Sequence, residues 1–402
     1  GASMDHSLFR TAAVLGLLAA VGPFAVDMYL PALPAIEAGL GTDVASVQMT
    51  LTAYFIAFGI AQLVYGPWAD QAGRKLPLYV GISIFILASV GCALAPSIGW
   101  LIFFRALQGL GGAVLMVVPR AIIRDMYTGA KATRLMALVM LVISVSPMLA
   151  PLAGSGIVAL GGWRGIFAFL ALAAIASLAL TALRLDETLA QEDRVPVNLR
   201  SMTGGAGVLL RDPMFMGLTF IGGFGMASFF VFIASAAFVY TGQFGLSPVG
   251  FSLAFAVNAI GFFAASQLAA MLGERFGAQR VVRVAAAGFA GTTAALLVLA
   301  LLGLAGFFVI VAFLFVANAF LGLIIPTTMV MSLDNHGEIA GLASSLSGTL
   351  QMLAGGLMIV AAGPFFDGTA LPMIAAIALC GAIAFGLAQW VLGRRSAVAP
   401  AA

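Results

Sequence analysis

The stretch Thr11-Ala-Ala-Val-Leu15-Gly-Leu-Leu-Ala-Ala20-Val-Gly-Pro23-Phe-Ala-Val-Asp27-Met-Tyr29-Leu-Pro31-Ala-Leu33 decides the fold class. It is long enough to cross a hydrocarbon core, which takes about 20 helical residues. A single charge, Asp27, interrupts it. A carboxylate at membrane depth costs about 3 kcal/mol even on lenient scales, so it persists where it faces a cavity or a partner. The other acids fall in loops or at helix ends. Asp27 therefore reads as a group that gains and loses a proton. Thr11 to Val21 is similar to a signal-peptide core, but the apolar pattern runs on past Asp27, and a retained first helix is expected.

The rest of the chain repeats this pattern. Of its 402 residues, 62% are hydrophobic and 8% are charged, and mean hydropathy is +1.13. A soluble globular protein carries about a quarter charged residues. Strand alternation of the outer-membrane barrel type is absent. The composition predicts an all-α integral membrane protein with twelve transmembrane helices. The predicted spans are Thr11–Leu33, Ser46–Trp68, Leu76–Ala95, Gly99–Pro119, Arg134–Val158 and Trp163–Arg184. A second set follows: Phe215–Tyr240, Pro248–Leu272, Val281–Leu302, Gly306–Thr328, Glu338–Ala362 and Leu371–Leu392. Residues 1–3, ahead of Met4, read as a cloning scar. Residues 4–185 read as one six-helix bundle, 186–212 as a cytoplasmic linker, 213–393 as a second bundle and 394–402 as a tail.

Charge sets the expected orientation. With the N-terminus inside, every Lys and Arg of the 18 present falls on the cytoplasmic side except Arg105 and Arg164. Both termini are then cytoplasmic by the positive-inside rule. The net charge of +3 is a topology signal and not a nucleic-acid footprint.

The halves also repeat. After the second span the chain reads Gly66-Pro-Trp-Ala-Asp70-Gln-Ala-Gly73-Arg74-Lys75, and after the eighth Gly273-Glu274-Arg-Phe-Gly277-Ala-Gln-Arg280. An acid, a glycine three residues on and then basic residues recur at equivalent places. Parallel six-helix repeats are one route to alternating access, with substrate bound near the bilayer midplane.

Further motifs carry a family resemblance. They are Arg105-Ala-Leu-Gln108-Gly109-Leu-Gly-Gly112 in the fourth span and Ser146-Pro147-Met-Leu-Ala150-Pro151-Leu-Ala-Gly154 in the fifth. Asp27-Met-Tyr-Leu-Pro-Ala-Leu-Pro34 and Ala343-Ser-Ser-Leu-Ser-Gly-Thr349 add to them. With the Gly66–Lys75 loop, these resemble the major facilitator superfamily, and within it the Bcr/CflA-type drug:proton antiporters of bacteria. A usual Gly-Pro pair is Ala150-Pro151 here. The resemblance implies two pseudo-symmetric six-helix bundles in the bacterial inner membrane, exporting amphipathic drugs as protons enter.

Each motif also has a physical reading. Asp70 opens a turn closed by the permissive Gly73. It is expected to cap the next helix and to pair with Arg74 or with a base at the inner end of the fourth span such as Arg124. Gly66, Asp70, Gly73, Arg74 and Arg124 thus form a candidate conformational latch; the bland alternative is a solvated charge cluster. Arg105 and Asp27 both lie roughly 12 Å below the outer surface at 1.5 Å per residue. An arginine there needs an acceptor. Either Asp27 supplies it, or Arg105 snorkels or binds backbone carbonyls. Burial favours the neutral carboxyl and a nearby guanidinium the charged one, so helix movement tunes proton affinity. Pro147 and Pro151 are expected to interrupt and kink the fifth span.

The candidate substrate lining comprises Tyr29, Tyr54, Phe58, Gln62 and Gln108 in the first half. In the second it comprises Phe224, Ser228, Phe232, Asn258, Asn318 and Gln351. An apolar cavity with scattered amides suits weakly charged amphipathic compounds, although any one aromatic is as readily a packing or lipid contact. A nucleotide-binding loop is missing and Lys75 and Lys131 are the only lysines, so ATP is not the energy source. Cys92 and Cys380 are isolated, and His6 and His336 form no metal motif. The expectation is a monomer in the lipid bilayer with protons and a drug as partners, without cofactor, metal, nucleic acid or enzymatic activity. A proton-coupled carrier of a small metabolite is the competing reading.

Overall fold

The computed structural model describes residues 2–126 and 129–393. Gly1 of the expected scar, the tail 394–402 with Arg394 and Arg395, and the side chains of His6, Lys131 and Arg134 lie outside the described residues. Among the described residues, twelve helical stretches are long and apolar enough to cross a membrane. No strand occurs among the described residues.

The chain divides into two compact units, up to Asn198 and from Leu199 on. The first contains α1 (Ala2–Asp27), α2 (Leu33–Gly39), α3 (Val44–Ala72), α4 (Lys75–Leu94), α5 (Ile98–Gly112), α6 (Val114–Met126), α7 (Gly129–Gly161) and α8 (Arg164–Arg184). The second contains α9 (Leu199–Leu210), α10 (Pro213–Gly242), α11 (Pro248–Phe276), α12 (Ala278–Leu301), α13 (Phe307–Asp334), α14 (Ala340–Ala362) and α15 (Leu371–Ala388). α1 with α2, and α5 with α6, each form one span.

Local chemistry fixes where these helices start. Asp43 accepts the Ser46 amide at 2.8 Å. Asp212 and Ser247 cap helices that open on Pro213 and Pro248, where a missing N–H removes no helical bond. Helix α1 passes through Pro23 but stops at Asp27, and Pro31 falls in a short 3-10 turn, Leu30–Ala32, before α2. Glu37 lies in the last turn of α2. Pro147 and Pro151 do not interrupt their span: α7 is continuous through both. The breaks that matter fall at Asp27 and at Ala113.

The two units use the same internal pairing. In the first, α3 and α4 pack on α5, α4 on α8, and α1 on α7; in the second, α11 and α12 pack on α13, α12 on α15, and α10 on α14. These are equivalent spans, so the short sequence repeat is the visible part of a structural one. Its loops agree too, with φ of 92° at Gly73 and 87° at Gly277. Side chains rarely adopt this backbone, which explains the glycine at both places.

The segment read as a linker is divided between the units. Residues 185–198 fold against the Asp70–Lys75 loop, through Val195 N–H donating to the Asp70 carbonyl at 2.9 Å and other contacts below. Residues 199–210 are the helix α9, which packs on α10 and α14.

Candidate functional site

Asp27 is the last residue of α1 and is 7% exposed. Its carboxylate accepts the Ser146 hydroxyl of α7 at 3.0 Å. Arg105, on α5, is fully buried. It does not reach Asp27. One guanidinium nitrogen, Nη1, donates to the Ala25 carbonyl at 3.0 Å and to Gln108 Oε1 at 2.8 Å. The expected Asp27–Arg105 pair is thus replaced by the backbone-carbonyl alternative.

Aromatic faces complete the cradle of Arg105. Its guanidinium carbon lies 4.3 Å from the Tyr29 ring centre and 4.5 Å from that of Tyr54. Tyr29 is held by a hydroxyl contact with Thr50, and Tyr54 donates to the Gly22 carbonyl at 3.3 Å. Gln108 passes the chain on to Ser89 at 2.9 Å, and Ser89 to the Phe85 carbonyl at 2.7 Å. Cation–π contacts contribute about 2 kcal/mol each when desolvated, against several kcal/mol for burying the charge. Nε and Nη2 have no hydrogen-bond acceptor among the described residues. The cradle therefore leaves Arg105 with capacity for an anion.

A second network lies at the other end of the first unit. Arg74 donates to both oxygens of Asp125, at 2.7 and 2.9 Å, and to Asp70 at 2.8 Å. Of the two bases expected to meet Asp70, Arg74 does so, whereas Arg124 is exposed and no acid pairs with it among the described residues. Helical geometry explains this: adjacent residues point about 100° apart, so Asp125 faces the loop while Arg124 faces away. Nor does Asp70 cap α4. Glu187 does so, accepting the backbone N–H of Arg74 at 3.0 Å and of Lys75 at 3.2 Å. Thr188 donates to Asp125 at 2.7 Å, and Arg194 approaches Glu187 at 4.0 Å. A Cβ built on Gly73 would overlap the Glu187 carboxylate and crowd Arg194.

Electrostatics follow the hydrogen bonds. Burial alone would lower the proton affinity of Arg74, but the bonds to Asp125 and Asp70 hold it above the usual arginine range. Burial likewise pushes the Glu187 carboxyl up, yet the amides of Arg74, Leu189 and Lys75, with Arg194, bring it below the usual range.

Within each unit the candidate lining residues take different partners. In the first unit, Phe58 stacks on Tyr54 with ring centres 5.9 Å apart, which joins it to the Arg105 cradle. Gln62 reaches the Met116 sulfur of α6 at 3.9 Å. In the second, Phe232 stacks on Phe255 at 6.0 Å, one turn from Asn258 on α11. Asn258 is 2% exposed, and neither amide atom has a hydrogen-bond partner among the described residues. Gln351 instead donates to the Thr219 carbonyl at 3.2 Å, and Ser228 turns back on Gly225. Phe224 touches Phe220. Asn318 is buried on α13. Gly66 lies within α3, before Pro67.

Three participants were not assigned from the sequence. Ser146 appeared only within a motif, and its small hydroxyl inside an apolar helix was the available signal. Asp125 could have been found as the acid next to Arg124. Glu187 had no local signature, since it acts across 113 residues of chain.

The sequence profile of the Major Facilitator Superfamily matches residues 15–359. The chain is 34% identical over 390 residues to the MFS-type transporter YdgK of Bacillus subtilis (strain 168), covering 95% of this chain and 96% of that protein. It is 29% identical over 397 residues to a bicyclomycin resistance protein homolog of Haemophilus influenzae, covering 98% of each. Its fold is similar to that of a D-xylose-proton symporter, with a TM-score of 0.73 at 16% identity over 96% of this chain and 97% of that one.

Proposed function

Because the chain belongs to the major facilitator superfamily of membrane transporters, we propose that it exports amphipathic drugs in exchange for protons, with Asp27 as the proton site. It is a multi-pass membrane protein, and its bacterial relatives support an inner-membrane location. The basic loops and both chain ends face the cytoplasm in this reading. The relative named for bicyclomycin resistance supports a drug as substrate.

One observation carries the proposal. A buried carboxylate ends the broken first helix, held by a single hydroxyl, while a buried arginine with spare donors binds the carbonyl two residues earlier. Two arrangements of one carboxylate are thus within reach. Held by Ser146, Asp27 is free to take a proton from the outer side, and drug leaves. After the change of access the proton passes to the cytoplasm, and the ionised carboxylate takes up the free donors of Arg105 as drug binds again. The Arg74–Asp125–Asp70 network is the latch that holds one state.

The test uses purified protein in proteoliposomes with a pH-reporting dye inside and bicyclomycin as the probe. Addition of drug is expected to drive proton movement that Asp27→Asn abolishes. Drug-triggered proton flux unchanged in Asp27→Asn overturns the assignment. A lack of any response to drugs, with a response to sugars or amino acids, favours a metabolite carrier instead.

A further inference from the structure

The Ser146–Asp27 hydrogen bond has a chemical property that the Arg105 site lacks. A hydroxyl donates one hydrogen bond and accepts others, whereas a guanidinium only donates. An ionised carboxylate needs donors, but a protonated carboxyl must also place its own O–H. Ser146 serves the carboxyl in either state; Arg105 serves only the ionised one. Ser146 is fully buried, so water does not substitute for it freely. Its helix is also fixed next to the site. A Cβ on Gly154 would overlap the Met28 carbonyl, so the α7 backbone lies directly against the residue that follows Asp27.

We infer that Ser146 is a positioning residue of the proton site, keeping the Asp27 carboxyl against α7 through protonation, so that Ser146 and Arg105 compete for one side chain. This rests on Asp27 being the proton site. It makes α7 the helix that holds the carboxyl while it takes up and keeps its proton, and α5 the competitor for the ionised form. The titratable groups around Asp27 are consistent with that division. Tyr29 follows it, Tyr54 is contributed by α3 and Arg105 by α5. Of the helices packed on α1, α6 carries Arg120 at its middle, and Arg124 and Asp125, the latter bound by Arg74, in its last turn; α8 carries Arg164, committed to the Ala93 and Ala95 carbonyls, and Arg184 in its last turn. Lys131 and Arg134 stand near the start of α7 in sequence. Near Ser146 itself α7 offers no charge.

Infrared titration of the purified full-length protein tests this without a substrate. The carboxyl band of Asp27 is identified by its loss in Asp27→Asn. In Ser146→Ala that band is expected at higher wavenumber, because its hydrogen-bond partner is gone. Its titration midpoint is expected to move to higher pH by about one unit, a tenfold change, since the lost bond is stronger to the charged form than to the neutral one. Ser146→Thr keeps the hydroxyl and is expected to restore both. Thermal melting of the same samples reports folding. A Ser146→Ala band and midpoint equal to wild type overturn the inference while leaving the proton site intact. If no titrating band is lost in Asp27→Asn, the proton-site reading itself fails.

Discussion

Arg105 binds the carbonyl of Ala25 and leaves the carboxylate of Asp27, two residues further along the same helix, to Ser146. The guanidinium is therefore oriented by the strand of chain that carries the proton site without neutralising it. The two side chains thus meet the end of α1 through different partners.

Arg105→Lys tests how far this depends on the planar fork. Lysine keeps the charge but cannot donate to Ala25 and Gln108 while also stacking flat between two rings. Drug-driven proton exchange is expected to fall about tenfold, equivalent to about 1.4 kcal/mol. Rates measured in proteoliposomes decide it, and unchanged exchange would reduce Arg105 to a simple positive charge.

The rings can be separated from their hydroxyls. Tyr54→Phe keeps the face over Arg105 and loses only the long bond to Gly22; Tyr54→Leu loses the face. The leucine variant is expected to be less stable by about 1–2 kcal/mol for the lost cation–π contact, and the phenylalanine variant close to wild type. Thermal melting in detergent distinguishes them.

Much of this was readable beforehand, for reasons specific to each feature. Twelve spans follow from apolar length alone, and Asp27 stood out because charge is rare at that depth. The repeated Gly73 and Gly277 were legible because a positive φ leaves a mark in sequence. What could not be read was partner choice. Arg124 and Asp125 are neighbours, and only the phase of α6 says which faces Arg74. Glu187 reaches the amides of α4 from the far end of the first unit, and no periodicity announces that. Nor does periodicity say which amide on a buried face turns to backbone, as Gln351 does, and which stays unpartnered, as Asn258 does.

The two repeat glycines offer a matched comparison. Gly73→Ala and Gly277→Ala both force alanine into a backbone region nearly exclusive to glycine, at about 1–3 kcal/mol. A Cβ at Gly277 meets nothing within 4 Å, whereas one at Gly73 overlaps Glu187. Gly73→Ala is expected to be the more destabilising, by about 1 kcal/mol more for the displaced hydrogen bonds. Equal melting shifts would show that the Glu187 contact contributes nothing.

The same contact has a pH signature. The Glu187 carboxyl lies below the usual range in the folded protein, so its contribution is complete above the ordinary glutamate value. It is lost as pH falls through the lowered one. Cleavage after the half-buried Arg194 by an acid-tolerant protease is expected to rise over that acidic window, and to be already high and pH-independent in Glu187→Ala. Protection that ignores pH in the wild-type chain would contradict this.

Adjacent residues of α6 give the last test. Asp125 takes both forks of Arg74 and the Thr188 hydroxyl, and only 11% of its side chain is exposed. Removing one member of a buried pair strands the other, at about 3–5 kcal/mol in fully buried cases. Because Asp70 remains beside Arg74, Asp125→Asn should cost less, about 2 kcal/mol. Arg124→Gln alters an exposed cation with no acid partner among the described residues, and such surface changes stay within about 0.5 kcal/mol. If Arg74 is the hub of the latch, Asp125→Asn lowers both melting temperature and transport while Arg124→Gln leaves both near wild type. The opposite ranking would restore Arg124 as the partner of Asp70 and remove Asp125 from the mechanism.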